Sequence, residues 1–163
     1  MRTVMVKKCL MGLLINSLTI MPGWANVNIS LKVTVLSAPS CTINGNRPIV
    51  IDFGKEVMTT RVDGHHYRQR VPYTLTCDNP KSLSMRMLIQ GTAANFDATA
   101  LQTSMPALGV IFWSDGKKWP VNTMYGFKYS ALPMIEAQLI KDEESRLQAG
   151  EFTAAATLEV FYQ

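Results

Sequence analysis

The chain has 163 residues and a formal net charge of +4, from 16 Lys and Arg against 12 Asp and Glu. The length bounds a single domain of ordinary size. The apparent pI near 9.1 rests largely on the first 25 residues, so the charge is no evidence for a nucleic-acid partner.

Those first residues set the context. Arg2, Lys7 and Lys8 precede an apolar run from Cys9 to Met21, followed by Pro22-Gly23 and the small residue Ala25. This three-part layout predicts a secretory signal peptide over 1–25, cleaved after Ala25. The run is too short for a membrane span, which needs about 20 apolar residues. Removing residues 1–25 from the 163 leaves 138, with 13 basic against 12 acidic side chains, a net charge of +1. Cys41 and Cys77 remain, an even number in an exported chain. Only one pairing within the chain is possible, and a disulfide closing a loop of this length would contribute about 3–4 kcal/mol in the chain-entropy model. Two cysteines with no nearby His pattern do not make a zinc site. An oxidising compartment follows: the bacterial periplasm or the cell exterior.

Strand patterns recur along the rest of the chain. Val27, Ile29, Leu31, Val33 and Val35 alternate with polar residues, the period-two pattern of a half-buried strand. Asn44 to Pro48 is turn-like, and Ile49 to Phe53 is expected to form a buried strand. Asp63-Gly64 marks another turn. Val71, Tyr73, Leu75 and Cys77 alternate, with Pro72 indicating an edge or a strand start. Leu83 to Ile89 and Leu108 to Trp113 follow as strands. Asp115-Gly116 between apolar runs predicts a hairpin. Met134 to Ile140 is the penultimate strand, and the charged stretch from Lys141 to Gly150 a connection with at most a short helical turn. The strongest signal comes last: Phe152, Ala154, Ala156, Leu158, Val160 and Tyr162 alternate for eleven residues. These elements predict an all-β sandwich. A final strand with an uncovered apolar edge would recruit other chains.

Groups for chemistry do not converge. His65 and His66 are adjacent, and in an extended chain their side chains diverge, so neither a two-His metal site nor a His-based triad is expected. There is no G-x-S-x-G, and the six residues between Gly109 and Gly116 do not make a phosphate loop. Trp113, Trp119, Tyr125, Phe127 and Tyr129 could form a sugar-binding face, but core and hairpin packing is favoured. Neither catalytic residues nor a cofactor are expected.

Taken in order, the leader, the alternating segment, "APSCTINGN", "IVIDFG", a second cysteine closing "YTLTC" and the terminal "GEFTAAATLEVFYQ" resemble subunits of chaperone–usher fimbriae, near the minor and adaptor subunits of P and type 1 pili. The resemblance covers the whole chain after residue 25. It implies an incomplete immunoglobulin-like β-sandwich that lacks its last strand, completed by a donor strand from a chaperone or a neighbouring subunit. Residues 1–25 would be the signal peptide, 26–37 the N-terminal donor-strand extension and 38–163 the pilin domain. Val27, Ile29, Leu31, Val33 and Val35 would be the donor side chains, entering a neighbour's groove. Gly150, Phe152, Ala154, Ala156, Leu158, Val160 and Tyr162 would form the groove-facing terminal strand. The Gln163 carboxylate would meet basic residues of the chaperone, and Cys41 and Cys77 match the family disulfide. One departure stands out: where donor segments of this family carry glycine, this chain has Val33 or Thr34, depending on the count. The implied function is a minor structural subunit that supports bacterial adhesion. Its partners would be a periplasmic pilus chaperone, an outer-membrane usher and neighbouring subunits, with no nucleic acid and no small-molecule substrate. It would travel through the periplasm to the cell-surface fimbrium of a Gram-negative bacterium. The alternative is a single-domain fimbrial adhesin or lectin that binds a host receptor.

Overall fold

The computed structural model describes residues 40–78 and 84–162. The expected signal peptide, the donor side chains Val27, Ile29, Leu31, Val33 and Val35, and Gln163 lie outside them.

Ten strands form among the described residues: β1 (Cys41–Ile43), β2 (Arg68–Arg70), β3 (Leu75–Cys77), β4 (Ser84–Gln90), β5 (Leu101–Gln102), β6 (Leu108–Ser114), β7 (Lys117–Trp119), β8 (Met124–Lys128), β9 (Ile135–Lys141) and β10 (Thr157–Tyr162). One layer has the order β10-β4-β8. The other has the order β2-β9-β6-β5, with β7 on β6, and β1 pairs with β3. Every pairing is antiparallel. The fold is an all-β sandwich in which alternate side chains of each layer meet in one core. Met85, Met87 and Ile89 enter from β4, and Ile135, Ala137 and Leu139 from β9.

Strand β6 is buried on both faces. Its inward residues Leu108, Val110 and Phe112 join the main core. Its outward Ile111 lies under Ala94 and Ala100, with Phe96, Trp113 and Ile140 packed around them. The Arg68 guanidinium sits 4.6 Å from the Trp113 ring centroid. Trp119 is buried, its ring 5.0 Å from that of Tyr125.

Three expected elements differ from those observed. The run from Val71 to Cys77 is not one strand. Arg68–Arg70 pairs with β9, Leu75–Cys77 pairs with β1, and Pro72, with no N–H to give, sits at the switch between partners. Ile49–Phe53 has the inward side chains of a strand but no ladder partner among the described residues, and Val50 is 74% exposed. The terminal strand is shorter than its alternation: only Thr157–Tyr162 pairs with β4, in the register Thr157↔Gln90 to Tyr162↔Met85. The partner runs out because the chain leaves this layer at Gly91. It then bridges to the other layer, with Ala93 opposite Leu101. The Asn122 side chain holds that corner, accepting from the Gly91 N–H and donating to the Gly91 carbonyl. The stretch Lys141–Gly150 contains no helix. The Asp115-Gly116 turn does form, with φ of 48° and 78°, the pair of positive values that a two-residue hairpin requires.

Tyr73 ties β3 to the loop before β9. Its phenol donates to the Pro133 carbonyl at 2.7 Å. Burial, helped by the Asp115 carboxylate, pushes its pKa up to about 12. A raised phenol pKa means the fold disfavours the phenolate. The contribution to stability is therefore complete below the ordinary value near 10 and is lost as the pH rises through about 12. Tyr73→Phe should lower stability by about 0.5–1.5 kcal/mol at neutral pH. It should also flatten the fall in stability between pH 10 and 12, as checked by urea unfolding across that range.

Candidate functional site

The site begins at the disulfide. Cys41 and Cys77 face each other across β1 and β3 and are bonded. The Tyr162 phenol lies 2.6 Å from the Cys41 sulfur. A disulfide sulfur has no proton to give, so the phenol donates. Burial, with the nearby Asp78 and Tyr129, raises the Tyr162 pKa. The end of β10 is therefore fixed beside the start of the domain.

Past β1 the chain turns sharply. Asn44, Gly45 and Asn46 all have positive φ, at 49°, 59° and 61°, a conformation favoured by Asn and Gly. The Asn44 N–H donates to the Thr74 carbonyl, and its side chain donates to the carbonyls of Arg47 and Pro48. This turn sends Ile49–Phe53 along the open side of the sandwich. The segment is held again further on, where the Asp52 carboxylate accepts from the Gly54 N–H and the Tyr67 phenol accepts from the Met58 N–H.

Opposite it runs the segment leading into β10. Thr153 is held by Ser104, whose N–H donates to the Thr153 carbonyl and whose hydroxyl accepts from the Thr153 N–H. At Gly150 φ is +153°, and a Cβ there would come within 3.0 Å of Met105, so a side chain would be both strained and crowded. Between the two segments lies a groove of about 400 Å³. Ile49, Ile51 and Phe53 line one bank, and Phe152, Ala154, Ala156 and Leu158 the other. The floor is Val71, Ile89, Leu101, Val110, Phe112 and Ile135. Thr153 apart, the lining is apolar. The banks come together at Phe53 and Phe152, whose ring centroids lie 6.2 Å apart at a tilt of 41°. Further along, Leu158, Val160 and Tyr162 pack on the core opposite Ile89, Met87 and Met85. The outer edge of β10 has no partner strand among the described residues.

The structure thus gathers Phe152, Ala154, Ala156 and Leu158 at the groove and places Val160 and Tyr162 beyond it on the same strand. Gly150 lies upstream, against Met105. The opposite bank and the floor were not identified from sequence. The floor residues come from both layers, and no local pattern brings them together. The histidines do not join this site. His66 Nδ1 lies 2.8 Å from an Asp63 oxygen. That contact, with the N–H groups of His65 and His66, holds the Asp63 carboxyl well below the usual range. Among the described residues no three His, Cys, Asp or Glu side chains converge as a metal site would need.

A two-layer immunoglobulin-like sandwich with one strand position unfilled among the described residues and lined mainly by apolar side chains is an incomplete sandwich, the architecture of pilus subunits. The fimbrial protein family model matches residues 29–163, and the chain belongs to that family. It is 31% identical over 145 residues to the uncharacterized fimbrial-like protein YfcQ of Escherichia coli (strain K12), covering 85% of this chain and 89% of that one. It is 33% identical over 152 residues to the uncharacterized fimbrial-like protein YfcR of the same strain, covering 90% and 87%. In fold it is similar to the P pilus rod subunit PapA, with a TM-score of 0.60 at 19% identity over 83% of this chain and all of PapA. It is also similar to the P pilus adaptor subunit PapF, with a TM-score of 0.56 at 17% identity over 78% and 98%. The chain is a fimbrial protein whose fold is that of these pilus subunits.

Closure of the groove at Phe53 and Phe152 is open to measurement. In a double-mutant cycle of Phe53→Ala and Phe152→Ala, urea unfolding should give a coupling of about 0.5–1.5 kcal/mol. Additive losses would mean that the two banks do not meet there.

Proposed function

We propose that this pilin is a non-enzymatic building block that polymerises by donor-strand exchange. The observation that carries this reading is the free edge of β10 beside an apolar groove. An extended segment laid along that edge would pair with its backbone and set alternate side chains on the groove floor. Burying four aliphatic side chains there would contribute about 6–12 kcal/mol before the loss of chain entropy. That is comparable to the whole stability of a domain. A chain with this groove empty is therefore weakly stable.

Residues 1–25 direct export, and residues 26–37 are the segment given to a neighbour. A periplasmic chaperone fills the groove first, an usher presents the complex, and the next subunit's extension replaces the chaperone strand. The chain acts as a minor subunit within the fimbrium and supports adhesion through the assembly. Cys41 and Cys77 secure the end of the domain from which the extension leaves.

The terminal strand gives the test. Val160 and Tyr162 point to the core, whereas Thr157 is exposed. Val160→Asp or Tyr162→Asp places an unpaired charge on the core-facing side. Each should abolish co-purification with the chaperone and lead to degradation in the periplasm. Thr157→Asp should change stability by no more than about 0.5 kcal/mol. Equal chaperone yield from wild type and all three variants would rule out this face as the assembly surface.

A further inference from the structure

The turn that aims Ile49–Phe53 contains Asn44-Gly45, the one Asn-Gly pair in the chain. In such a pair the glycine nitrogen, with no side chain beside it, can reach the side-chain carbon of the asparagine. Here Gly45 is exposed and Asn44 half-buried. The Asn44 side-chain nitrogen is also the clasp of the turn, donating to the carbonyls of Arg47 and Pro48 at 3.0 Å each. One side chain therefore both holds the turn and carries its reactive bond.

We propose that Asn44 is a site of spontaneous deamidation and that its product releases the turn. The Gly45 nitrogen attacks the Asn44 Cγ and closes a cyclic imide. The side-chain nitrogen leaves as ammonia, taking the proton from Gly45. Water then opens the ring. Cleavage at one carbonyl gives Asp, and cleavage at the other gives isoaspartate, in which the backbone runs through the former side chain. Neither product keeps the clasp. An ionised carboxylate only accepts hydrogen bonds, so it faces the Arg47 and Pro48 carbonyls with nothing to donate. Isoaspartate also lengthens the backbone of a turn in which Asn44, Gly45 and Asn46 all need positive φ.

The same contacts time the reaction. Ring closure needs the amide to leave both carbonyls and the peptide plane after Asn44 to rotate. That rotation breaks the bond from the Arg47 N–H to the Asn44 carbonyl, 3.1 Å in the closed turn. A closed turn is thus protected, and each opening is an occasion to react. After the reaction Ile49, Ile51 and Phe53 keep their apolar contacts with the core, but the bank has lost the anchor that sets its direction.

The test ages the full chain in mildly alkaline buffer and follows each asparagine by peptide mass spectrometry. The Asn44 peptide should convert to its deamidated forms, isoaspartate among them, while Asn46, Asn95 and Asn122, none of them followed by Gly, stay intact. Conversion at Asn44 no faster than at those three overturns the site. The second measurement is amide exchange in Asn44→Asp, made directly. The Arg47 amide should exchange about tenfold faster than in wild type, the equivalent of about 1.4 kcal/mol, with the amides of β4 and β9 unchanged. Where that variant fails to accumulate, aged wild type separated on its added negative charge gives the same reading. Unchanged exchange at Arg47, or an equal rise in β4 and β9, overturns release of the turn. Neither measurement involves assembly, so the result is independent of strand addition at the groove.

Discussion

The structure depends on one strand position that the described residues leave unfilled. Two antiparallel layers close a core on every side except between Ile49–Phe53 and the segment running into β10. The apolar floor there comes from both layers, so the gap is an opening into the core and not a surface cleft. Ile89, Leu101 and Val110 line it, each no more than 5% exposed, and backbone groups on both sides lack a ladder partner among the described residues. Apolar surface and unpaired edges together favour an extended polypeptide over a small molecule.

Holding the banks apart takes specific local chemistry. The left-handed turn at Asn44–Asn46 carries the chain from the disulfide-bonded β1 to the groove edge. The crossing at Gly91, braced by Asn122, takes β4 out of reach of Phe152–Ala156. Ser104 then holds Thr153 by two hydrogen bonds. None of these contacts is strong alone, since each net hydrogen bond is worth about 1 kcal/mol. Their effect is geometric: two extended segments stay parallel to a missing strand without collapsing onto each other. A groove prepared in this way lowers the ordering cost of binding a strand.

Much of the fold was legible because each layer buries one face. The alternation in β4, β9 and the end of β10 follows directly from Met85, Met87 and Ile89, from Ile135, Ala137 and Leu139, and from Leu158, Val160 and Tyr162. What escaped was tertiary. Strand β8 (Met124–Lys128) was hidden inside an aromatic cluster, although its Tyr125 and Phe127 alternate as a strand should. The alternation at Ile49–Phe53 and Phe152–Ala156 correctly marks which side chains turn inward. It cannot reveal that neither segment has a neighbour to pair with. Pairing is decided elsewhere, by where β4 crosses over and by which strand is absent. The half of the groove contributed by the layer holding β6 was invisible for the same reason.

Amide hydrogen exchange at the two banks tests the central claim most directly. The amides of Ile49–Phe53 and of Phe152–Tyr162 would be followed in the dilute chain and in assembled fimbriae. An empty strand position requires fast exchange at Ile49–Phe53 in the dilute chain and strong protection of both segments after assembly. Slow exchange of equal depth in both states would contradict it, because the position would then already be filled within the chain itself.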